Sequence, residues 1–119
     1  MLKISSSFEQ GEILVLELPF SNLVGSKLRP VLVVSNANYN NSSNDVIVAK
    51  ITGSNFNTPW EIKLTNEHLE SGKLKKISFI DTGFLFTIEK SIIKRSIAKI
   101  KENHLGDYKM LLLNLRVDL

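Results

Sequence analysis

Short apolar runs separated by polar segments fill the first half of the chain. The runs are rich in leucine and in β-branched residues, and each is too short for a typical helix. They predict four strands, over residues 11–20, 31–34, 45–51 and 60–64. Strands this short and this regularly spaced are typical of a small β-barrel or β-sandwich.

The polar segments between these runs predict loops. Residues 21–28 are polar and contain glycine, and the loop they form is expected to place Pro30 at the first position of the second strand, where no ladder hydrogen bond is needed. Residues 36–44 are rich in asparagine and serine, whose side chains bond their own backbone, and they predict an exposed loop. Residues 53–59 predict a turn. Trp60 begins the fourth strand and is assigned to the core.

The last third of the chain carries a different pattern. Residues 77–80 indicate a further strand, whereas residues 91–100 fit a helical stripe and a β-branched strand equally well. Apolar residues then recur at three- and four-residue spacing, which predicts an amphipathic terminal helix. Its stripe consists of Leu105, Tyr108, Leu111, Leu112 and Leu115. Met110 and Leu113 lie off this stripe and offer apolar surface for a second contact, such as another subunit.

Length and composition limit the classes of protein and of site. At 119 residues the chain is expected to be a single domain, residues 1–119, with one core. The absence of cysteine excludes disulfides, thiolate metal ligands and a cysteine nucleophile. His68 and His104 have no partner at a metal-ligand spacing, so neither a metal ion nor a cofactor is expected. With no signal peptide and no apolar run long enough for a membrane span, the expected location is the cytoplasm.

The basic residues are concentrated in one part of the chain. Residues 73–101 carry eight lysine and arginine side chains against Asp81 and Glu89, which gives this segment a net charge of about +6 and leaves about −3 for the rest. A basic surface favours a polyanionic partner through phosphate attraction and counterion release. On charge alone, a solvated lysine-rich surface without a partner explains the pattern equally well.

A series of short motifs occurs along the chain in an order that resembles the MazF/PemK toxin family. The motifs are, in order, Gly11-Glu12, Pro19-Phe20, Gly25-Ser26-Lys27, Arg29-Pro30, Ser35-Asn36, Ile51-Thr52 with Ser54, residues 86–93 and a leucine-rich end. They cover nearly the whole chain, and their order is more specific than any single motif.

This resemblance implies both a fold and a function. The implied fold is mainly β (α+β): an SH3-like small β-barrel of about six or seven strands with a C-terminal α-helix, in which residues 91–100 form a strand. The implied function is that of a type II toxin-antitoxin toxin, a homodimeric endoribonuclease that cleaves single-stranded RNA without a metal ion. A disordered segment of the cognate antitoxin is expected to occupy the groove that binds RNA.

The same resemblance makes Arg29 and Thr52 the expected catalytic pair. When a ribose 2′-OH attacks the adjacent phosphate, negative charge develops on the non-bridging oxygens, and a guanidinium can stabilise it with two parallel donors. The Thr52 hydroxyl can donate a further hydrogen bond or orient the 2′-OH, and the general base stays open. Outside the family pattern, Arg29 is equally an ordinary surface arginine before a proline, and Thr52 a threonine that closes a turn.

Five further residues are candidates for RNA binding: Phe20, Ser26, Lys27, Ser54 and Asp81. Ser26 and Lys27 lie in the predicted loop before the arginine and could contact phosphate. Phe20 could stack on an unpaired base or belong to the core. Ser54 could face the groove or only favour its turn. Asp81 resembles an aspartate that precedes the family's Phe-Thr stretch.

Two departures from the family pattern bear on function. Many members have an acidic residue in the loop before the arginine, where this chain has Leu23-Val24-Gly25. Residues 81–87 are longer than in the family by about two residues, with Gly83 in the extra turn. The alternatives to an active nuclease are a non-catalytic toxin that inhibits a DNA-processing enzyme by protein contact, and a degraded toxin that only binds its antitoxin.

Overall fold

The computed structural model describes residues 7–19 and 25–115, which form a curled antiparallel sheet and two α-helices. The strands are β1 (Glu12–Pro19), β2 (Ser26–Val33), β3 (Asp45–Thr52), β4 (Glu61–Leu64), β5 (Leu69–Gly72), β6 (Ser78–Glu89) and β7 (Ile93–Ile100). The helices are α1 (Ala37–Ser42) and α2 (Glu102–Leu115). The seven strands lie in the order β4-β6-β3-β2-β1-β7-β5. A mainly β fold with a C-terminal helix confirms the predicted fold class.

Two apolar clusters lie on opposite faces of the central strands. The helix-side core lies between the sheet and α2 and consists of Ile13, Leu32, Ala49, Ile51, Leu64, Leu69, Ile80, Ala98, Ile100, Leu105 and Tyr108. The opposite core consists of Leu14, Leu16, Val31, Val33, Val46, Val48 and Ile88. Neighbouring residues of β1, β2 and β3 therefore enter different cores. Because both faces of these strands are buried, their sequences are continuously apolar and do not alternate with polar residues.

The C-terminal helix covers the helix-side core. Leu105 and Tyr108 are buried as their stripe predicted, and Met110, off the stripe, is 63% exposed. The side chains of three further predicted residues, Leu112, Leu113 and Leu115, lie outside the described part of the structure. The Tyr108 hydroxyl has no hydrogen-bond partner among the described residues. Burial, and secondarily the nearby Asp81 carboxylate, raises the pKa of Tyr108, which keeps the phenol neutral.

Strand β2 begins earlier than the sequence pattern predicts. It includes residues 26–28, which were expected in a loop, and Pro30 is its fifth residue and not its first. Pro30 pairs with Val15 of β1, while the ladder to β3 begins only at Val31. Proline is tolerated within the strand because β2 is unpaired on one side at this position, so the missing N–H leaves no gap in the second ladder.

The prediction of an exposed loop for the asparagine-rich segment, residues 36–44, is wrong. The segment contains the helix α1. The Asn36 side chain caps this helix by accepting the Tyr39 N–H at 3.0 Å. Asn40 is fully buried, and its amide donates to the carbonyls of Phe8 and Ser35 at 2.9 and 3.0 Å. The capacity of asparagine to bond nearby backbone, which indicated a loop, here stabilises a helix terminus and a buried contact.

Three other elements differ from the simple sequence pattern. Strand β5 is not predicted, because it is an edge strand in which only Leu69 is buried. Strand β6 continues from the predicted residues 77–80 as far as Glu89. Strand β7 confirms the strand that the family resemblance implied for residues 91–100, where periodicity alone left helix and strand open, except that residues 91 and 92 belong to a short 3-10 helix. No helix in the described part of the chain has the length and apolar character needed to span a membrane.

The assignment of Trp60 to the core is wrong. Trp60 precedes β4 and its side chain is 37% exposed. Its backbone carbonyl accepts hydrogen bonds from both the N–H and the hydroxyl of Thr82, at 3.0 and 2.7 Å. Trp60 therefore anchors β6 through its backbone, and its side chain is not part of the buried core.

A stacked histidine pair connects α2 with the chain before β5. The rings of His68 and His104 lie parallel with their centroids 3.9 Å apart. His104 Nε2 is 3.1 Å from the carbonyl oxygen of Lys63, and the Thr65 N–H donates to His68 Nδ1 at 3.0 Å, which requires that nitrogen to be unprotonated. Burial, followed by the charge of His68, lowers the pKa of His104, although the Lys63 carbonyl and Asp107 act in the opposite direction.

The lowered pKa of His104 predicts a loss of stability in mild acid. The unfolded chain takes up a proton near the ordinary histidine pKa of 6.5, before the folded protein does, so stability is complete above that pH and decreases as the pH falls below it. Urea unfolding is expected to give a lower free energy of unfolding at about pH 5.5 than at about pH 7.5. His104→Gln, which keeps a donor to the Lys63 carbonyl, should show a smaller decrease. An equal decrease in both proteins would contradict this assignment.

Candidate functional site

Arg29 and Thr52 lie at the same end of two neighbouring strands. The β2–β3 ladder pairs Val31 with Lys50 and ends there. Arg29 precedes Val31 by two residues and Thr52 follows Lys50 by two, so both lie the same distance beyond the last pair. Two residues that are separated in sequence by α1 and most of β3 thus lie at the same end of two neighbouring strands in the sheet.

Both side chains belong to the face of the sheet that carries the opposite core. Side chains alternate between faces along a strand, and Arg29 is two residues from Val31, while Thr52 is four residues from Val48. Arg29 is also the cross-strand partner of Leu16, a third member of that core. The apolar cluster therefore ends in an exposed arginine and a partly buried threonine. We call this end of the opposite-core face the Arg29 end.

The Thr52 hydroxyl already takes part in a turn. The Ser54 N–H donates to Thr52 Oγ1 at 3.1 Å, and Ser54 itself is exposed. This contact is the structural role that the sequence also allowed for the threonine. An oxygen that accepts a backbone N–H keeps its own proton, so the hydroxyl can still donate a hydrogen bond to a ligand.

A row of charged side chains runs across β3, β6 and β4 beside this pair. Lys50 is the cross-strand partner of Asp81, and Asp81 is the partner of Glu61. Direct partners in antiparallel strands share a face, so the three side chains lie on one side of the sheet. Asp81 Oδ1 accepts the Gly83 N–H at 3.0 Å, and the Glu61 carboxylate accepts the Phe56 N–H at 3.2 Å. Both carboxylates thus hold adjacent backbone segments in place.

Strand β6 forms a three-residue bulge directly after Asp81. At this point one step along β3 corresponds to four steps along β6, so residues 82–84 have no partner on β3. The two hydrogen bonds from Thr82 to the Trp60 carbonyl fix the start of the bulge. The bulge contains Gly83, the residue around which the sequence is longer than the family pattern.

The sequence pattern does not single out two residues of this face, Lys50 and Phe84. The Lys50 ammonium lies over the Phe84 ring, 4.8 Å from its centroid. The Phe84 ring meets Phe86 edge to face at 5.8 Å and is 47% exposed. The position of Lys50 two residues before Thr52 was a signal that the two share a face. Nothing in the sequence indicates that the bulge brings Phe84 to Lys50.

Further cations lie near the Arg29 end. Lys27 is exposed on β2, two residues from Arg29 and therefore on the same face. Lys76 lies against Gly53, the residue after Thr52, because a Cβ built on that glycine would be 2.6 Å from the Lys76 Nζ atom. The arginine and the threonine are therefore accompanied by lysines from β2, β3 and the segment before β6.

Three lysines in the second half of the basic segment make contacts within the protein. Lys90 donates to a backbone carbonyl in α1, Lys94 pairs with Glu17 at 3.7 Å, and Lys99 pairs with Glu9. These lysines are used in contacts within the protein. For this part of the segment the structure favours the solvated surface that charge alone left open.

Some predicted site residues lie outside the described part of the structure. Phe20 is not among the described residues, and neither are Leu23 and Val24 of the loop that lacks the family's acid. Ser26 is the first residue of β2 and pairs with Pro19, and both of their side chains are undescribed. Within residues 7–19 and 25–115, no three histidine, aspartate or glutamate side chains stand close enough together to hold a metal ion.

The structure has relatives among solved toxins and nucleases. An endoribonuclease from a mycobacterial species matches with a TM-score of 0.73 and 15% identity, over 98% of this chain and 100% of that chain. A MazE-MazF structure from Deinococcus radiodurans matches with a TM-score of 0.71 and 19% identity, over 92% of this chain and 95% of that chain. The Mycobacterium tuberculosis toxin MazF-mt6 matches with a TM-score of 0.66 and 19% identity, over 85% of this chain and 93% of that chain. No curated protein matches the chain by sequence. At identities this low, the structural matches show a shared fold and nothing more.

The sequence of the chain also matches a family model. The model describes the PemK-like, MazF-like toxins of type II toxin-antitoxin systems, and it matches residues 9–115. The matched range contains all seven strands, both helices and the Arg29 end. The chain therefore belongs to the family of PemK-like, MazF-like toxins of type II toxin-antitoxin systems.

Proposed function

We propose that this protein is a metal-independent endoribonuclease toxin that cleaves single-stranded RNA, including mRNA in the cytoplasm, with residues 1–119 as one toxin domain. The observation that supports the proposal is that Arg29 and Thr52 each lie two residues beyond the last β2–β3 pair, Val31 with Lys50, on the face that also bears Lys27 and Lys50. A phosphodiester bound there would meet a forked guanidinium donor, a hydroxyl and further cations. Such donors stabilise the charge that develops as a phosphate is attacked.

The chemistry that suits this arrangement is attack by the neighbouring ribose 2′-OH. The 2′-OH loses its proton and its oxygen forms a bond to phosphorus. The bond from phosphorus to the 5′-oxygen of the next nucleotide breaks, and the 5′-oxygen takes up a proton, so no proton is gained or lost overall. The nucleophile is supplied by the RNA itself, so no metal-bound water is required. Arg29 donates to the non-bridging oxygens, where negative charge increases during attack. The products of this reaction are a 2′,3′-cyclic phosphate and a 5′-hydroxyl.

Thr52 acts beside Arg29 in this mechanism. Its Oγ1 accepts the Ser54 N–H, which fixes its position and leaves its proton available for a phosphate oxygen. Asp81 is the nearest carboxylate in the neighbouring row that the sequence also marked, but it accepts the Gly83 N–H and is opposite Lys50, so we assign it to positioning and leave the general base open.

The partners in this proposal are a second copy of the chain and an antitoxin. One solved relative is an endoribonuclease in complex with its cognate antitoxin, and others are MazE-MazF structures. By the same family relationship, we propose that a segment of a cognate antitoxin covers the Arg29 end and that the active toxin is a homodimer. The exposed Met110 on α2 supplies apolar surface for a protein contact.

Incubation of the purified protein with single-stranded RNA in excess chelator tests the proposed activity. We expect cleavage to continue in the chelator and the new ends to carry a cyclic phosphate and a 5′-hydroxyl, because the nucleophile is the 2′-oxygen. The same RNA with 2′-O-methyl groups should stay intact. Sequencing of the cut ends also gives the cleavage sequence. Intact RNA after incubation with folded protein would contradict the nuclease and favour a toxin that acts by protein contact.

A further inference from the structure

The bulge of β6 presents an aromatic ring next to the cations of the Arg29 end. Phe84 is the last of the three bulge residues, and its ring is nearly half exposed. The bulge is held at Thr82 by two hydrogen bonds to the Trp60 carbonyl and at Gly83 by the Asp81 carboxylate. An exposed ring on a well-anchored segment loses little conformational entropy when a ligand binds.

The surroundings of the ring combine an aromatic surface with positive charge. The Lys50 ammonium lies over the Phe84 ring at 4.8 Å, a contact that is weak where water has access. Lys50 is opposite Val31 on β2, so the Cα atoms of Lys50 and Arg29 are roughly 8 Å apart, one strand spacing across and two residues along. Cations that follow a backbone, with an aromatic ring beside them, are the features by which proteins bind single-stranded nucleic acids.

We propose that Phe84 is a stacking platform for one base of single-stranded RNA, with Lys50 binding a phosphate next to that base. This inference rests on the proposed function and adds a binding subsite to it. When RNA binds, the Lys50 ammonium exchanges the ring for a phosphate oxygen, and the ring face becomes available to the base. Arg29 then holds a phosphate further along the same strand. Because every base has an aromatic face, the platform contributes affinity with little sequence preference.

A single ring with a lysine above it fits an RNA base better than a protein partner. The exposed apolar surface around Phe84 is small, because Phe86 is partly buried against the opposite core and contacts the Phe84 ring only edge to face. The polar row of Lys50, Asp81 and Glu61 borders it. An unpaired base needs one ring face and a nearby cation, whereas a stable protein interface needs a much larger apolar patch.

Binding of a labelled, randomised 2′-O-methyl RNA, which cannot be cleaved, tests this platform. Phe84→Leu is expected to raise the Kd for this RNA by about 10-fold. Phe84→Tyr keeps the aromatic face, and its Kd should stay close to that of the original protein. Tyr39→Leu is the matched control, because it removes a partly exposed aromatic ring from α1, which precedes the other end of β3. Inorganic polyphosphate, which has no bases, should bind Phe84→Leu and the original protein equally well.

Several results of these binding experiments would overturn the stacking platform. Equal RNA affinity for Phe84→Leu and Tyr39→Leu would overturn the platform, as would a parallel loss of polyphosphate binding, which would mean that the ring only positions Lys50. A changed oligomeric state in Phe84→Leu would assign the ring to a protein interface and also overturn it. A protein that binds the methylated RNA through Phe84 but leaves unmodified RNA intact would contradict the nuclease and support the platform. A protein that binds no RNA would contradict both.

Discussion

Replacement of Arg29 by alanine should reduce RNA cleavage by about 100- to 1,000-fold and leave the fold intact. This is the range found when one preorganised donor to a developing oxyanion is removed. Arg29 is exposed, and its cross-strand partner Leu16 keeps its own burial within the opposite core, so the substitution leaves no cavity. Single-turnover cleavage with protein in excess measures the chemical step, and circular dichroism verifies the fold.

Three further variants on the same face separate the effects of donor geometry, positive charge and the threonine hydroxyl. Arg29→Lys keeps the positive charge but lacks the planar fork, so most of the loss should remain. Lys27→Ala removes an exposed cation two residues away and should mainly weaken binding in a salt-dependent manner. Thr52→Val should lower the rate by only about 10-fold, because it removes one neutral hydrogen bond. Cleavage by folded Arg29→Ala at close to the original rate would refute the assigned role.

Leu32→Ala should lower the free energy of unfolding by about 3 to 4 kcal/mol, more than any of the substitutions at the Arg29 end. Leu32 is fully buried in the helix-side core, and truncation of such a leucine loses its transfer free energy and leaves a cavity that neighbouring strands cannot fill. For a domain of this size the midpoint of thermal unfolding should fall by roughly 10 °C or more. Urea unfolding gives the free energy directly.

Leu28→Ala is the matched control, because it makes the same change on the same strand and face. Leu28 is 48% exposed, so its truncation should cost less than about 1 kcal/mol. Equal losses of stability in the two variants would show that residues 26–28 are covered in solution, for example by a second copy of the chain. A small loss for Leu32→Ala would contradict the position of β2 between the two cores.

Strand and helix locations follow closely from local sequence, with errors that have physical causes. The apolar runs locate β1, β3 and β4, and the stripe around Leu105 locates α2, because burial on a regular element leaves a periodic pattern. The pattern fails at β5, where pairing at a sheet edge needs only one buried side chain. It fails at α1, because Asn40 is buried through hydrogen bonds to distant backbone, which no local rule anticipates.

The candidate site was predictable in part. Arg29 and Thr52 were identified by their place in an ordered family pattern, and in the structure each lies two residues beyond the last pair of the β2–β3 ladder. Lys50 was recoverable from strand alternation alone. Phe84 was not, because its position depends on a bulge whose effect on register is decided by the partner strand.

Composition, the periodicity of apolar residues and the order of motifs were sufficient for a mainly β fold, a terminal helix and the residues to test first. These properties depend on neighbours along the chain, which the sequence contains. Tertiary structure alone decided which of Leu28 and Leu32 is buried, which lysines are free to meet a ligand, and that Phe84 lies against Lys50. Those properties depend on contacts between residues far apart in sequence, and a change of register by a single bulge is enough to alter them.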